Sequence, residues 1–99
     1  MSLSLEDTIT ILKNKKEYLH EAFGVIRLGL FGSFVRGEQT PSSDLDVIIE
    51  METEKKNLHS FLQIKRYLEK ETARKVDLGF EHSLKPIVRE KIKKEIIYV

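Results

Sequence analysis

Two carboxylates stand two residues apart in Ser43-Asp44-Leu45-Asp46-Val47. The run that follows, Val47-Ile48-Ile49, has strong strand propensity. On a strand, positions i and i+2 share a face, so Asp44 and Asp46 project side by side while Leu45 turns away. Adjacent carboxylates repel unless a cation neutralises them. An all-oxygen pair suits Mg²⁺, which is held by one or two carboxylates plus substrate phosphates. Upstream, Gly32-Ser33 lies between an apolar run and a helical start. Glycine lets another group approach the backbone closely. The N–H groups of the next turn and the Ser33 hydroxyl then form a phosphate-binding corner. A phosphate corner beside a two-carboxylate metal site is the equipment of phosphoryl or nucleotidyl transfer. The pattern is not a P-loop, since G-x-x-x-x-G-K-[ST] is absent. Asp77 is a third acid, set between Val76 and Leu78, where an unpaired carboxylate is expensive. It joins the other two only if its strand lies beside theirs, and the sequence leaves that adjacency open.

The elements that must position these residues are marked by periodicity. Leu5, Ile9, Leu12, Leu19 and Phe23 recur on one helical face. Ser4 and Asp7 resemble a capping box, and Gly24 suits the C-terminal stop. Val25–Phe31 reads as a strand with Ile26, Leu28 and Leu30 on one side and Arg27, Gly29 and Phe31 on the other. A short helical turn is expected over Phe34–Glu38, then a polar loop from Gln39 through Pro41 to Ser43. Asp44–Glu50 is a second strand. A helix from Asn57 to about Glu71 has Leu58, Phe61, Leu62 and Leu68 as its apolar face. Lys75–Phe80 is a third strand. Pro86 opens a last helix, with Leu84, Ile87, Val88 and Ile92 buried. Ile96-Ile97-Tyr98-Val99 is an apolar tail that either completes the core or is covered by a partner or a second copy of the chain. The order helix, strand, turn, strand, helix, strand, helix predicts an α/β (α+β) fold: a small sheet covered by helices.

Composition narrows the function classes. The 99 residues carry 17 Lys plus Arg against 16 Asp plus Glu, a net charge of +1. That balance argues against a dedicated nucleic-acid binder, and the lysine runs at 13–16 and 91–94 read as solvated helix faces. There is no Cys, so disulfides, cysteine metal sites and cysteine chemistry are excluded; this fits a cytoplasmic protein. No apolar run is long enough for a membrane span, and the N-terminus lacks the marks of a secretory signal. The length suits one domain over residues 1–99. His20, His59 and His82 lack metal-ligand spacing with one another and are expected to be structural or at the surface. The three tyrosines are too far apart for a base-stacking platform.

Each motif also has an ordinary reading. A D-x-D can be a polar strand face, Gly-Ser a turn, and Arg36 a surface ion-pair partner. Their combination in order is the informative feature: GSFVRGEQTPSSDLDV, then KVDLGF. This strongly resembles the minimal nucleotidyltransferases of the DNA polymerase β-like superfamily, whose pattern is G-S-x-x-R-G, a short spacer, S-D-x-D and a later V-D-L strand. Gly32, Ser33, Arg36, Gly37, Ser43, Asp44, Asp46 and Asp77 carry the likeness, which spans nearly the whole chain. The resemblance implies a mixed sheet with helices mainly on one face. It implies that Asp44 and Asp46 hold two Mg²⁺ ions, with Asp77 completing the metal site and helping to deprotonate the attacking hydroxyl. It implies nucleotide binding at Gly32, Ser33, Arg36 and Ser43, with ATP as substrate and pyrophosphate as leaving group.

Larger members of the superfamily hold the acceptor in a second domain, whereas here the sequence ends about twenty residues after Asp77. The acceptor is therefore expected from another chain. By resemblance, that chain is a HEPN-domain RNase toxin, adenylylated on a tyrosine by its antitoxin. Two alternatives are a binding antitoxin that uses nucleotide or metal only structurally, and a transferase for a small molecule such as an aminoglycoside. Three intact acids favour an enzyme over the first.

Overall fold

The computed structural model describes residues 4–40 and 42–99; residues 1–3, and Pro41 of the expected polar loop, lie outside the described residues. The first helix, α1 (Leu5–Phe23), begins where the sequence marks it. Ser4 accepts from the Asp7 N–H, Asp7 answers at the Ser4 N–H, and Gly24 closes the helix in the left-handed region at φ 74°. Strands β1 (Val25–Phe31) and β2 (Leu45–Met51) pair antiparallel. Helix α2 (Leu58–Thr72) is capped by the Asn57 side chain and leads to β3 (Val76–Phe80), which runs parallel to β2. Helix α3 (Pro86–Ile92) and a two-residue β4 (Ile97–Tyr98) end the chain. The sheet is mixed, in the order β3-β2-β1-β4. The parallel β2–β3 pair requires a crossover, and α2 supplies it.

One face of this sheet makes the core. Leu28 and Leu30 of β1, Leu45, Val47 and Ile49 of β2, and Val76 of β3 pack with Leu12 and Leu19 of α1 and Ile64 and Leu68 of α2. The expected α/β layering, with helices mainly on one face, is therefore present. The alternation that sends these residues inward sends Arg27, Gly29 and Phe31, then Asp46, Ile48 and Glu50, then Asp77 and Gly79 to the opposite face. Helix α3 reaches that second face only near Ile48, where Ile92 and Ile96 line a cleft beneath it.

Several expectations about phase are corrected. Ile26 is 56% exposed, because the register slips by one residue between Val25 and Arg27; such a bulge turns one side chain out of the alternation. On α2 the buried stripe is Ile64, Leu68 and Thr72 with Phe61 beside it, while Leu58 and Leu62 are exposed. On α3 only Ile92 is buried; Ile87 is 79% exposed and Val88 also faces outward, since this short helix touches the sheet by one edge. Residues 34–38 form tight turns rather than a helix, closed by N–H groups of Val35 and Arg36 donating to the Gly32 carbonyl. Asp44 precedes β2 instead of opening it. The tail completes the sheet: β4 pairs with β1, the Val99 N–H donates to the Leu28 carbonyl at 3.0 Å, and Val99 joins the core.

Candidate active site

The second face carries the acids at one end. Asp46 of β2 and Asp77 of β3 are direct register partners, so the adjacency left open by the sequence is settled by the parallel pairing. Asp44 lies two residues before Asp46, exposed, and Asp77 is exposed as well. Asp46 is half-buried, and its carboxyl is pushed above the usual range first by that burial, then by the charges of Asp77 and Asp44. Arg36 acts in the opposite sense. A cation bound there would relieve this crowding.

Gly32 meets this carboxylate from β1. It sits at φ 83°, and a Cβ there would stand 2.9 Å from Asp46 Cγ and closer still to its oxygen. Both the left-handed backbone and the contact demand glycine. The close approach leaves backbone, not side chain, beside Asp46. Neither the Ser33 N–H nor its hydroxyl has a hydrogen-bond partner among the described residues, while the Ser33 carbonyl accepts from the Glu38 N–H. Ser33 is thus free to donate twice at the head of the turn.

These observations fit a divalent cation coordinated by few protein ligands. Among the described residues no group of three His, Cys, Asp or Glu side chains is arranged to hold a metal ion alone. One or two carboxylates with the remaining positions filled by phosphate oxygens and water is the arrangement Mg²⁺ accepts.

The other sequence-marked residues occupy supporting places. Ser43 accepts from the Thr40 N–H at 2.8 Å, and its own N–H donates to the Thr40 carbonyl, which folds the loop before Asp44. Arg36 is paired with Glu38 and, through Nη1, with both oxygens of Glu95 at 3.1 Å. His82 donates its backbone N–H to Glu50 and stacks near Phe80, and His20 Nδ1 lies 3.1 Å from the Val25 carbonyl oxygen; both roles are structural.

Two contributors were not singled out in the sequence. Arg74 lies over the Phe34 ring at 4.7 Å and donates to the Ser43 carbonyl at 3.1 Å, tying the Gly32 turn to the Asp44 loop. Its signal is a basic residue just before the Val-Asp-Leu strand. Glu95 also accepts from the Gly32 N–H at 3.2 Å. It follows the basic run Lys91-Ile92-Lys93-Lys94, which reads as a solvated face and hides it.

A cleft of about 520 Å³ lies farther along the same face, beneath α3. None of the three acids lines it, and several of its polar groups are engaged with one another: Arg27 and Tyr98 both donate to Glu81, and His82 and Lys56 surround Glu50. The acid end differs in gathering three carboxylates beside the free donors of Ser33.

Known proteins share this fold. Residues 12–99 match the family model described as the nucleotidyltransferase domain. The protein adenylyltransferase MntA of Thermococcus cleftensis is 39% identical over 97 residues, which is 98% of this chain and 97% of its own length. A solved structure described as a minimal nucleotidyltransferase superposes with a TM-score of 0.78 at 32% identity, over 96% of this chain and 95% of its own. A chain from the complex of tri-AMPylated Shewanella oneidensis HEPN toxin with MNT antitoxin shares the fold, with a TM-score of 0.64 at 13% identity over 92% of this chain and 70% of its own. The family match covers the glycine turn and the acid strands alike, and the chain belongs to the minimal branch of the nucleotidyltransferase family.

Proposed function

We propose that the protein, a nucleotidyltransferase by family, moves AMP from ATP to a tyrosine hydroxyl of a HEPN-domain toxin and acts as that toxin's antitoxin. The observation that carries this reading is the Asp46–Asp77 register pair beside the bare Gly32 backbone. Support for the acceptor comes from the names of two relatives, one a protein adenylyltransferase and one an MNT antitoxin bound to an AMPylated HEPN toxin.

In this reading the Gly32 turn and Ser33 bind the triphosphate, Arg36 balances its charge, and Ser43 holds the loop that presents Asp44. Asp44, Asp46 and Asp77 would between them hold two Mg²⁺ ions, which when bound would neutralise the phosphates and acidify the acceptor hydroxyl. Asp77, the exposed member of the register pair, takes the tyrosine proton. The tyrosine oxygen bonds to the α-phosphorus, the bond from that phosphorus to the bridging oxygen breaks, and pyrophosphate departs with its electron pair. Residues 1–99 act as one minimal nucleotidyltransferase domain, and ATP as donor places the reaction in the cytoplasm. No helix among the described residues is long and apolar enough to cross a membrane.

The test is incubation of the protein with Mg²⁺, labelled ATP and a HEPN-domain protein from the same genome. Label should appear on the partner and vanish when its acceptor tyrosine is changed to Phe. An unlabelled partner, with RNase activity suppressed all the same, would sink the transferase reading in favour of inhibition by binding.

A further inference from the structure

Negative charge already sits at the turn after β1. Glu95 Oε1 accepts from the Gly32 N–H at 3.2 Å, and both carboxylate oxygens accept from Arg36 Nη1 at 3.1 Å. Glu95 is held there by its own backbone. The N–H groups of Glu95 and Ile96 donate to the Ile92 carbonyl at 2.9 and 3.0 Å. Ile96 Cδ1 lies 2.9 Å from where a Cβ of Gly29 would project, and β4 begins one residue later. The Glu95 side chain is only 22% exposed. A carboxylate so placed adds to the repulsion at Asp46, and the Gly32 N–H and Arg36 offset that cost.

Those two groups are also what a phosphate would use at this corner, a backbone N–H and a guanidinium. One N–H cannot serve Glu95 and a phosphate oxygen together. We propose that Glu95 is a built-in stand-in for phosphate, which occupies the Gly32 N–H and Arg36 in the nucleotide-free protein, withdraws when the triphosphate binds, and thereby sets nucleotide affinity. The inference rests on the reading of this corner as the triphosphate site. A triphosphate brings several charges and many acceptor oxygens against the single charge of Glu95, so it displaces the carboxylate, whereas a lone anion of low charge competes poorly. A site closed for part of the time binds with an affinity reduced by the open fraction.

Calorimetric titration of the full chain with ATP in Mg²⁺, and separately with adenosine, tests the idea. Glu95→Gln keeps the side-chain size and removes the charge. ATP should bind the variant about tenfold more tightly, the scale of one hydrogen bond to a charged group. Adenosine, which has no phosphate, should show no gain. Wild-type protein that binds ATP while Glu95→Gln binds it equally or more weakly would overturn the stand-in and leave the nucleotide site intact. ATP binding to neither chain would overturn both. An equal gain for adenosine would overturn the stand-in, because the effect would not lie at the phosphates. So would a Glu95→Gln chain found unfolded by circular dichroism, since a displaceable carboxylate cannot be essential to the fold.

Discussion

Replacing Asp46 by Asn removes a charge that burial, Asp77 and Asp44 all disfavour. With its carboxyl raised above the ordinary range in the folded protein, Asp46 contributes its full stability only below the ordinary carboxylate pKa. That contribution is lost as pH rises through the raised value, so at neutral pH the ionised side chain works against the metal-free fold. Asp46→Asn should therefore raise the thermal midpoint of metal-free protein at pH 7, narrow the advantage toward pH 4, and cut transfer by about 10²-fold or more. Thermal scans at both pH values with a single-turnover transfer assay check this; a lowered midpoint at pH 7 would contradict the crowding argument. Ser33→Ala should weaken ATP binding by about tenfold, one hydrogen bond to a charged group, while leaving the midpoint unchanged, because the hydroxyl has no partner among the described residues. Calorimetry on that variant reads the first and a thermal scan the second. The nearness of Asp44 to Asp46 was legible from their spacing, although Asp44 stands before the strand and not on it. The tie of Gly32 to Asp46 was not, since it depends on which strands pair.

At the scale of elements, the strands were legible because β-branched runs alternate or stand between turn residues, and the capped start of α1 was readable from Ser4 and Asp7. What failed was phase. The bulge at Val25–Arg27 leaves no compositional mark, so the strand period puts Ile26 on the same side as Leu28. On α2, Leu58 and Leu62 form one apolar row and Phe61, Ile64 and Leu68 another; only the sheet decides which is buried. On α3 the short contact with the sheet spares just Ile92. The two isoleucines of that helix should therefore differ sharply. Ile92→Ala should cost about 2–4 kcal/mol, the range for emptying a buried aliphatic site. Ile87→Ala should stay within about 0.5 kcal/mol, as surface changes do. Urea denaturation of the two variants separates them, and equal losses would mean that α3 buries its other face.

At the scale of the molecule, the layering decides from where an acceptor comes. Helices α1 and α2 fill the face of the sheet away from the acids, and α3 covers only the far end of the acid face. Asp77 is exposed on that face, and two residues along β3 Gly79 has nothing within 4 Å of where a Cβ would project. The approach to Asp77 is thus open. ATP bound at the Gly32 turn should await an acceptor delivered by a partner, and positioning a reactant in this way is worth several orders of magnitude in rate. Pyrophosphate release by the protein alone should be slow, and the HEPN-domain partner should raise it by about 10²-fold or more. Gly79→Leu places a bulky side chain in the open approach without touching Gly32, Ser33 or the acids. It should leave ATP affinity unchanged and depress partner-stimulated release by raising the apparent KM for the partner. Release by the free protein that matches the stimulated rate would show that water or the chain itself serves as acceptor. A Gly79→Leu variant with an unaltered KM for the partner would move the acceptor's path off the face of β3.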